Sequence, residues 1–308
     1  MTTIDDRFPA IFELRRLFYP RFEPLADPDL VDQGIGGFLD HVQKKNFVAF
    51  ADQTQALTGQ PVLQVERVTD DGVITRLDQA LIADFDTIVV ISFDSVRTRQ
   101  IADPSEVAAV RGFLDHPDHV MFVCPHHDIG GLDGQVGDGL FERQRLEHAH
   151  HADGAIPPRQ AFGQFARSLL EGLDVPVLNR FGLRPAVEPD GSPATILADR
   201  DQDRLGFLDG VGRFNLHPHL PHFERVGGGL AGMNVLARQP ADLSAPAHPF
   251  LSQGHTAFDA LLQSTTERFA GALLVCDATL FSSTVGGLDH LRRFWANIIE
   301  RPAGALRP

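Results

Sequence analysis

A chain of 308 residues with 43% hydrophobic and 22% charged residues has the composition of a folded globular protein, long enough to bury a sizeable core without disulfide or metal staples. Its formal charge of −14, with lysine confined to Lys44 and Lys45, argues against sequence-independent binding to nucleic acid or anionic lipid, which needs dense positive charge; a small molecule is the expected partner. Two cysteines far apart, Cys124 and Cys276, speak against a disulfide framework, and the first thirty residues carry charge (Asp5, Asp6, Arg7, Glu13, Arg15, Arg16) rather than a signal or an apolar span. A cytoplasmic, membrane-free protein is expected.

The first elements follow helical spacing: Phe8, Ile11, Phe12, Leu14 and Leu17, then Leu30, Val31, Phe38, Leu39 and Val42, interrupted at Pro20, Pro24 and Pro28. They predict a helical arm over residues 1–44, lying on a single α/β domain over 45–308. From Asn46 the texture changes to short β-rich runs, Asn46–Phe50, Val62–Val68, Thr87–Phe93 and Val120–Cys124, separated by helical stretches. Asp103-Pro104-Ser105-Glu106 marks one helix start, with an N-cap aspartate, a proline at the first helical position and a glutamate that closes a capping box; the helix should run to about Asp115. Pro157-Pro158 opens a further helix through Leu173. Strands are expected at Arg213–Leu216 and Ala272–Cys276, and a last helix from about Leu288 to Glu300. Strands alternating with helices predict an α/β fold, a doubly wound and mostly parallel sheet with helices on both faces. The Gly-rich stretches Gly130–Gly139 and Gly227–Gly232 match neither a phosphate loop nor a dinucleotide turn and are expected to be loops, the first of them a candidate lid.

Histidine is the chemical signal. Ten of the fourteen lie in bursts: His126 and His127, with His116 and His119 just upstream; His148, His150 and His151; and His217, His219 and His222. Imidazole titrates near neutrality and is the commonest metal ligand. The first and third bursts follow predicted strands, where open sheets gather their ligands. In an extended segment His217 and His219 share one face, and Pro218 and Pro221 stiffen the H-x-H-x-x-H run. With His126, His127 or Asp128 they make three or four ligands for a divalent metal, zinc or iron, leaving room for an activated water; Asp133, Glu224 or residues 147–152 are candidates to orient them. The middle burst reads as the end of an exposed helix, where histidine suits the negative dipole end. Were it functional, Glu147 and His151, four apart on one helical face, would act together. Arg180 is a candidate clamp for a substrate carboxylate, with a structural ion pair as the competing role. Asp277 either caps a turn or joins the cleft, the cap being favoured.

The run V-M-F-V-C-P-H-H-D resembles the nucleophile turn of the class I glutamine amidotransferase-like superfamily. The ending G-A-L-L-V-C-D-A-T-L-F-S-S and the A-H-P-F-L around His248 are similar to segments of its trehalose-utilisation-protein-like and related branches. That resemblance covers roughly residues 45–300 and implies a flavodoxin-like sheet. It also implies that Cys124 stands at the nucleophile position, His127 at a histidine often found three residues later, and L-H-P-H at the H-P-E that supplies base and carboxylate. The chain departs from the pattern. Phe122 and His126 stand where small residues let a nucleophile elbow close, and His219 replaces the glutamate that would orient the base.

Three functions follow. The first is a small-molecule hydrolase of a C–N or related polar bond, acting through a histidine-bound metal (His126, His127, His217, His219, His222) and activated water, with Asp128 nearby. The second is a metal-free amidase using Cys124, His127 and His217. The third is a noncatalytic ligand-binding or assembly domain, for which a second copy of the chain is a candidate partner.

Overall fold

The computed structural model describes residues 44–68, 73–92, 100–127, 138–152, 163–283 and 286–301. In chain order they form α1 (Lys44–Thr58), α2 (Gln79–Ile82), β1 (Thr87–Ser92), α3 (Pro104–Leu114), β2 (Val120–Pro125), α4 (Asp138–His151), α5 (Gln164–Gly172), β3 (Val177–Leu183), β4 (Leu197–Ala198), β5 (Leu220–Arg225), α6 (Gly229–Gly232), β6 (Met233–Pro240), β7 (Ala257–Ser264), β8 (Ala272–Cys276) and α7 (Leu288–Ile299), with 3-10 turns at Leu251–Gln253 and Ala278–Phe281. The expected arm at 1–44 lies, but for Lys44, outside the described residues. So do Asp128, Asp133, Pro157, Pro158 and the Gly-rich loop up to residue 137.

Period-two alternation explains the centre of the molecule. Along β2, Val120, Phe122 and Cys124 point into one apolar cluster while Met121 and Val123 point into another, and β8 repeats the pattern with Ala272, Leu274 and Cys276 against Leu273 and Val275. A strand buried on both faces needs cover on both. Val110, Phe113 and Leu114 of α3 with Phe165, Leu169 and Leu170 of α5 cover one face; Leu291, Phe294, Trp295 and Ile298 of α7 cover the other. The Asp103 cap forms as its spacing implies: its carboxylate accepts from Ser105 N at 2.9 Å, and the Glu106 carboxylate accepts from Asp103 N at 2.8 Å. Buried Glu106 also receives Arg67 at 2.9 Å and Leu77 N at 3.0 Å, which ties the segment before β1 to α3.

The larger sheet has the order β1-β2-β8-β7-β6-β4, and β3 pairs with β5 in a separate antiparallel ribbon. The β1–β2 and β2–β8 ladders are parallel, whereas β8–β7, β7–β6 and β6–β4 are antiparallel. Four of the six strands (β1, β2, β8, β6) therefore run one way, and one half of the sheet is an antiparallel meander. The fold is mixed α/β. No helix among the described residues is long and apolar enough to cross a membrane.

Three expected strands take other forms. Asn46–Phe50 lies inside α1, because the fifteen-residue run is long enough to hold a helix and Phe50 packs its ring 4.9 Å from Phe281 and 5.6 Å from Trp295. The stretch Val62–Val68 has no ladder beyond one bridge, Val68 to Ile74, and Leu63 and Val65 are exposed. Arg213–Leu216 is not a strand; the β5 strand that follows at Leu220 pairs with β3.

Candidate metal centre

Parallel pairing of β2 and β8 brings their carboxyl ends together, with Val123 beside Val275. The next residues of the two strands are Cys124 and Cys276, whose sulfurs lie 3.7 Å apart. Beyond them His126 meets Asp277: Nδ1 of the imidazole lies 2.9 Å from Oδ1 of the carboxylate. Asp277 does both things anticipated for it, since Oδ2 caps the following 3-10 turn by accepting from Thr279 N at 3.0 Å. Burial alone would raise the Asp277 carboxyl; the facing His126, His217 and Thr279 outweigh it and hold the group below its ordinary range. The anionic carboxylate keeps the His126 proton on Nδ1 and leaves the lone pair on Nε2, the arrangement of a metal-ligating histidine.

His127 follows directly and is 1% exposed. Neither of its ring nitrogens has a hydrogen-bond partner among the described residues. Burial, then the surrounding His126, His219, His151 and His217 rings, pushes it well below the ordinary histidine range, so it is neutral and able to ligate. His219, just before β5, completes the group. One ligand nitrogen from each of His126, His127 and His219 lies within 4.8 Å of the others. A tetrahedral ion with bonds of about 2.0–2.1 Å needs ligand nitrogens about 3.4 Å apart, inside the span of this group.

A glycine lets the rings pack this closely. A Cβ on Gly182 of β3 would lie 2.9 Å from Cδ2 of His127 and 3.1 Å from Cε1 of His151, so any larger residue would displace both rings. Nothing in V-L-N-R-F-G-L announced this, although a glycine inside a strand often marks a close approach.

The middle burst is not an exposed helix end. His148, His150 and His151 are buried, because α4 packs on β3. His151 stacks on His219 at 4.0 Å between ring centroids and lies 5.7 Å from His127, with Nε2 donating to Gly182 O at 2.8 Å. His150 is fully committed to backbone: Nδ1 donates to Pro246 O at 2.9 Å and Nε2 accepts from Arg184 N at 3.1 Å. Glu147, also buried, accepts from Gly182 N and stands 3.5 Å from Nε2 of His248. Burial raises its carboxyl to about 7 against the lowering from His151, the Gly182 N–H, Arg143 and His148.

The remaining expected site residues divide. His217 lies at the edge of the group, its ring 5.1 Å from that of His126 and 5.3 Å from that of His219. His222 points elsewhere: its Nδ1 accepts from Asp259 N at 3.2 Å and its ring packs 4.5 Å from Phe250. Arg180 is held by Glu224 across the β3–β5 ribbon, with Nε at 3.0 Å from the carboxylate, so the structural ion pair prevails over the substrate clamp and Glu224 is spent on it. Cys124 is fully buried; burial, then Cys276, pushes its thiol well above the ordinary range, the opposite of an activated thiolate. His116 and His119 stack on each other in the turn before β2, away from the group.

Comparison with family models, with curated proteins and with solved structures found no match to the chain.

Proposed function

We propose that the chain is a metal-dependent hydrolase that cleaves a C–N or related polar bond in a small molecule, with His126, His127 and His219 as ligands of a divalent cation, zinc or iron. The observation that carries this is the convergence of three imidazole nitrogens within 4.8 Å at the carboxyl ends of β2 and β8, where Gly182 lets the His127 ring pack against the backbone. Three imidazole nitrogens suit zinc and iron better than magnesium or calcium, which take oxygen ligands. When bound, such an ion supplies a Lewis acid and makes water acidic enough to attack near neutral pH. The chain's own residues supply the rest. Asp277 fixes the tautomer of His126, and Thr279 and Asn215 tie that carboxylate to the backbone of His217. Glu147, held near 7, is matched to taking up and returning a proton at neutral pH.

On the side of descent, the β1–α3–β2 crossover with parallel β8 supports a doubly wound, flavodoxin-like relationship to the class I glutamine amidotransferase-like superfamily; the β6–β7–β8 meander is foreign to it. A thiol route through Cys124 has no support in its buried, unactivated sulfur.

The test is turnover of a panel of small amides, ureas and cyclic amides by protein stripped with a chelator and then reloaded. Activity lost on stripping and restored by Zn²⁺, Fe²⁺ or Mn²⁺ is expected. Full activity in a metal-free preparation would overturn the proposal.

A further inference from the structure

We infer that His217 is not a ligand of the metal but a hydrogen-bond donor aimed at the substrate, placed to stabilise an oxygen that gains negative charge during bond cleavage; this rests on the metal-dependent function proposed above. The inference comes from a turn that the chain uses three times. In His116-Pro117-Asp118, His217-Pro218-His219 and His248-Pro249-Phe250, the backbone N–H two residues after the histidine donates to its Nδ1, at 3.3, 3.2 and 3.1 Å respectively. Proline fixes its own φ and has no N–H, so the next amide turns back onto the preceding side chain, as in an Asx-turn with imidazole in place of the carboxamide. His116 is exposed and remote from the site, which marks the turn as a local property of the tripeptide rather than a product of the cluster.

The turn decides the tautomer. An imidazole Nδ1 accepts a hydrogen bond only when it carries the lone pair, and in the neutral ring the proton then sits on Nε2. For His217 this removes both nitrogens as ligands. Nδ1 is occupied by the His219 amide, and Nε2 bears hydrogen. His126 is the reverse case, with Nδ1–H given to Asp277 and Nε2 carrying the lone pair. By distance alone, too, the three-nitrogen group contains His126 but not His217, although their rings are only 5.1 Å apart.

An N–H beside a cation site has a defined use. His217 is partly exposed where His127 is buried, and no hydrogen bond engages its Nε2 among the described residues. Its position is fixed from below. The His217 amide donates to Asn215 Oδ1 at 3.1 Å, and Asn215 Nδ2 donates to Thr279 O at 2.9 Å and Oγ1 at 3.0 Å. Thr279 is in turn bonded to Asp277, the residue that holds His126. Donor and ligand are thus carried by one network, as a preorganised oxyanion site requires. The substrate class that fits is a carbonyl compound, such as an amide, whose oxygen becomes anionic as the C–N bond breaks.

The experiment uses Zn²⁺ and Co²⁺ alone, followed by acetohydroxamate as an oxyanion probe on the Co²⁺ protein, read by its visible spectrum. His217→Ala is expected to keep one bound metal with affinity within about threefold of the unaltered chain, to weaken acetohydroxamate about tenfold, and His217→Gln, which retains an N–H donor, to recover part of that loss. Long-range ¹H–¹⁵N spectra of the unaltered Zn²⁺ protein should show the His217 proton on Nε2. A His217→Ala metal affinity as poor as that of His126→Ala, or a Nδ1–H signal for His217, would overturn the donor role alone. Failure of the unaltered chain to take up either metal would instead remove the function on which it rests.

Discussion

His126, at the end of β2, and His248, in the turn before Phe250, are the same residue type at nearly the same burial, 7% and 1% exposed, yet they are prepared for different work. His126 gives its Nδ1–H to a carboxylate and offers a lone pair to the group; His248 receives the Phe250 amide on Nδ1 and points an N–H toward Glu147. His150 and His222 belong with His248, since backbone amides donate to one nitrogen of each. Burial and clustering therefore do not make a ligand. What separates His126 from His248 is where the other nitrogen finds its hydrogen bond.

The comparison breaks most directly at the ligands. His126→Ala, His127→Ala and His219→Ala should each weaken Zn²⁺ binding by about two orders of magnitude or more, as titration against a chromophoric chelator will show. His150→Ala and His248→Ala should leave it within about threefold and instead cost roughly 1–3 kcal/mol of stability, because the Arg184 and Phe250 amides lose their buried acceptors. Equal losses of zinc in both sets would erase the distinction.

Asp277→Asn comes next. The amide can still cap Thr279 but no longer enforces the Nδ1–H form of His126, and zinc affinity should fall about 10–100-fold with the fold retained by circular dichroism. Gly182→Ala inserts a methyl group against His127 and His151 and should lower zinc affinity about tenfold, in line with the ~1–3 kcal/mol of strain typical of overpacking.

Acid sharpens the comparison through stability. Burial, the leading cause for each, lowers His150 and His222 to about 4 and His248 to about 3. A histidine kept neutral by the fold binds its proton in the unfolded chain first, so its contribution is complete above the unfolded value of about 6.5 and is lost as pH falls below it. Glu147, raised to about 7, works the other way between about 4.5 and 7, but it is one group against these three and His127, which burial lowers as well. The thermal midpoint of the metal-free protein should therefore decline as pH drops from 6.5 toward 4. A midpoint that is flat or rises over that interval would count against buried neutral histidines. The smallest effect is expected at the thiol: Cys124→Ala should leave turnover unchanged and cost about 1–2 kcal/mol of stability for the lost sulfur packing.

Much of this was legible in sequence. The Asp103 cap, β1, β2, β8 and α7 follow from spacing and apolar runs, and His126 stands beyond the end of β2 as its position implies; His219 reaches it by another route, since Arg213–Leu216 is not a strand and His219 precedes β5. Asn46–Phe50 is not legible locally, because five apolar-rich residues fit a strand or a helix equally until Phe50 finds Phe281 and Trp295. The burial of the middle burst is not legible either, because helical periodicity cannot reveal that β3 covers α4. The His-Pro-x turns, by contrast, were visible in the sequence as three dipeptides, and only their hydrogen bonds gave them meaning.

X-ray absorption at the zinc edge of the reloaded, unaltered protein tests the central claim most directly. Three imidazole nitrogens at about 2.0–2.1 Å with a lighter oxygen shell are predicted. Sulfur scattering at about 2.3 Å, which would bring Cys124 or Cys276 to the ion, or a shell without imidazole, would contradict it.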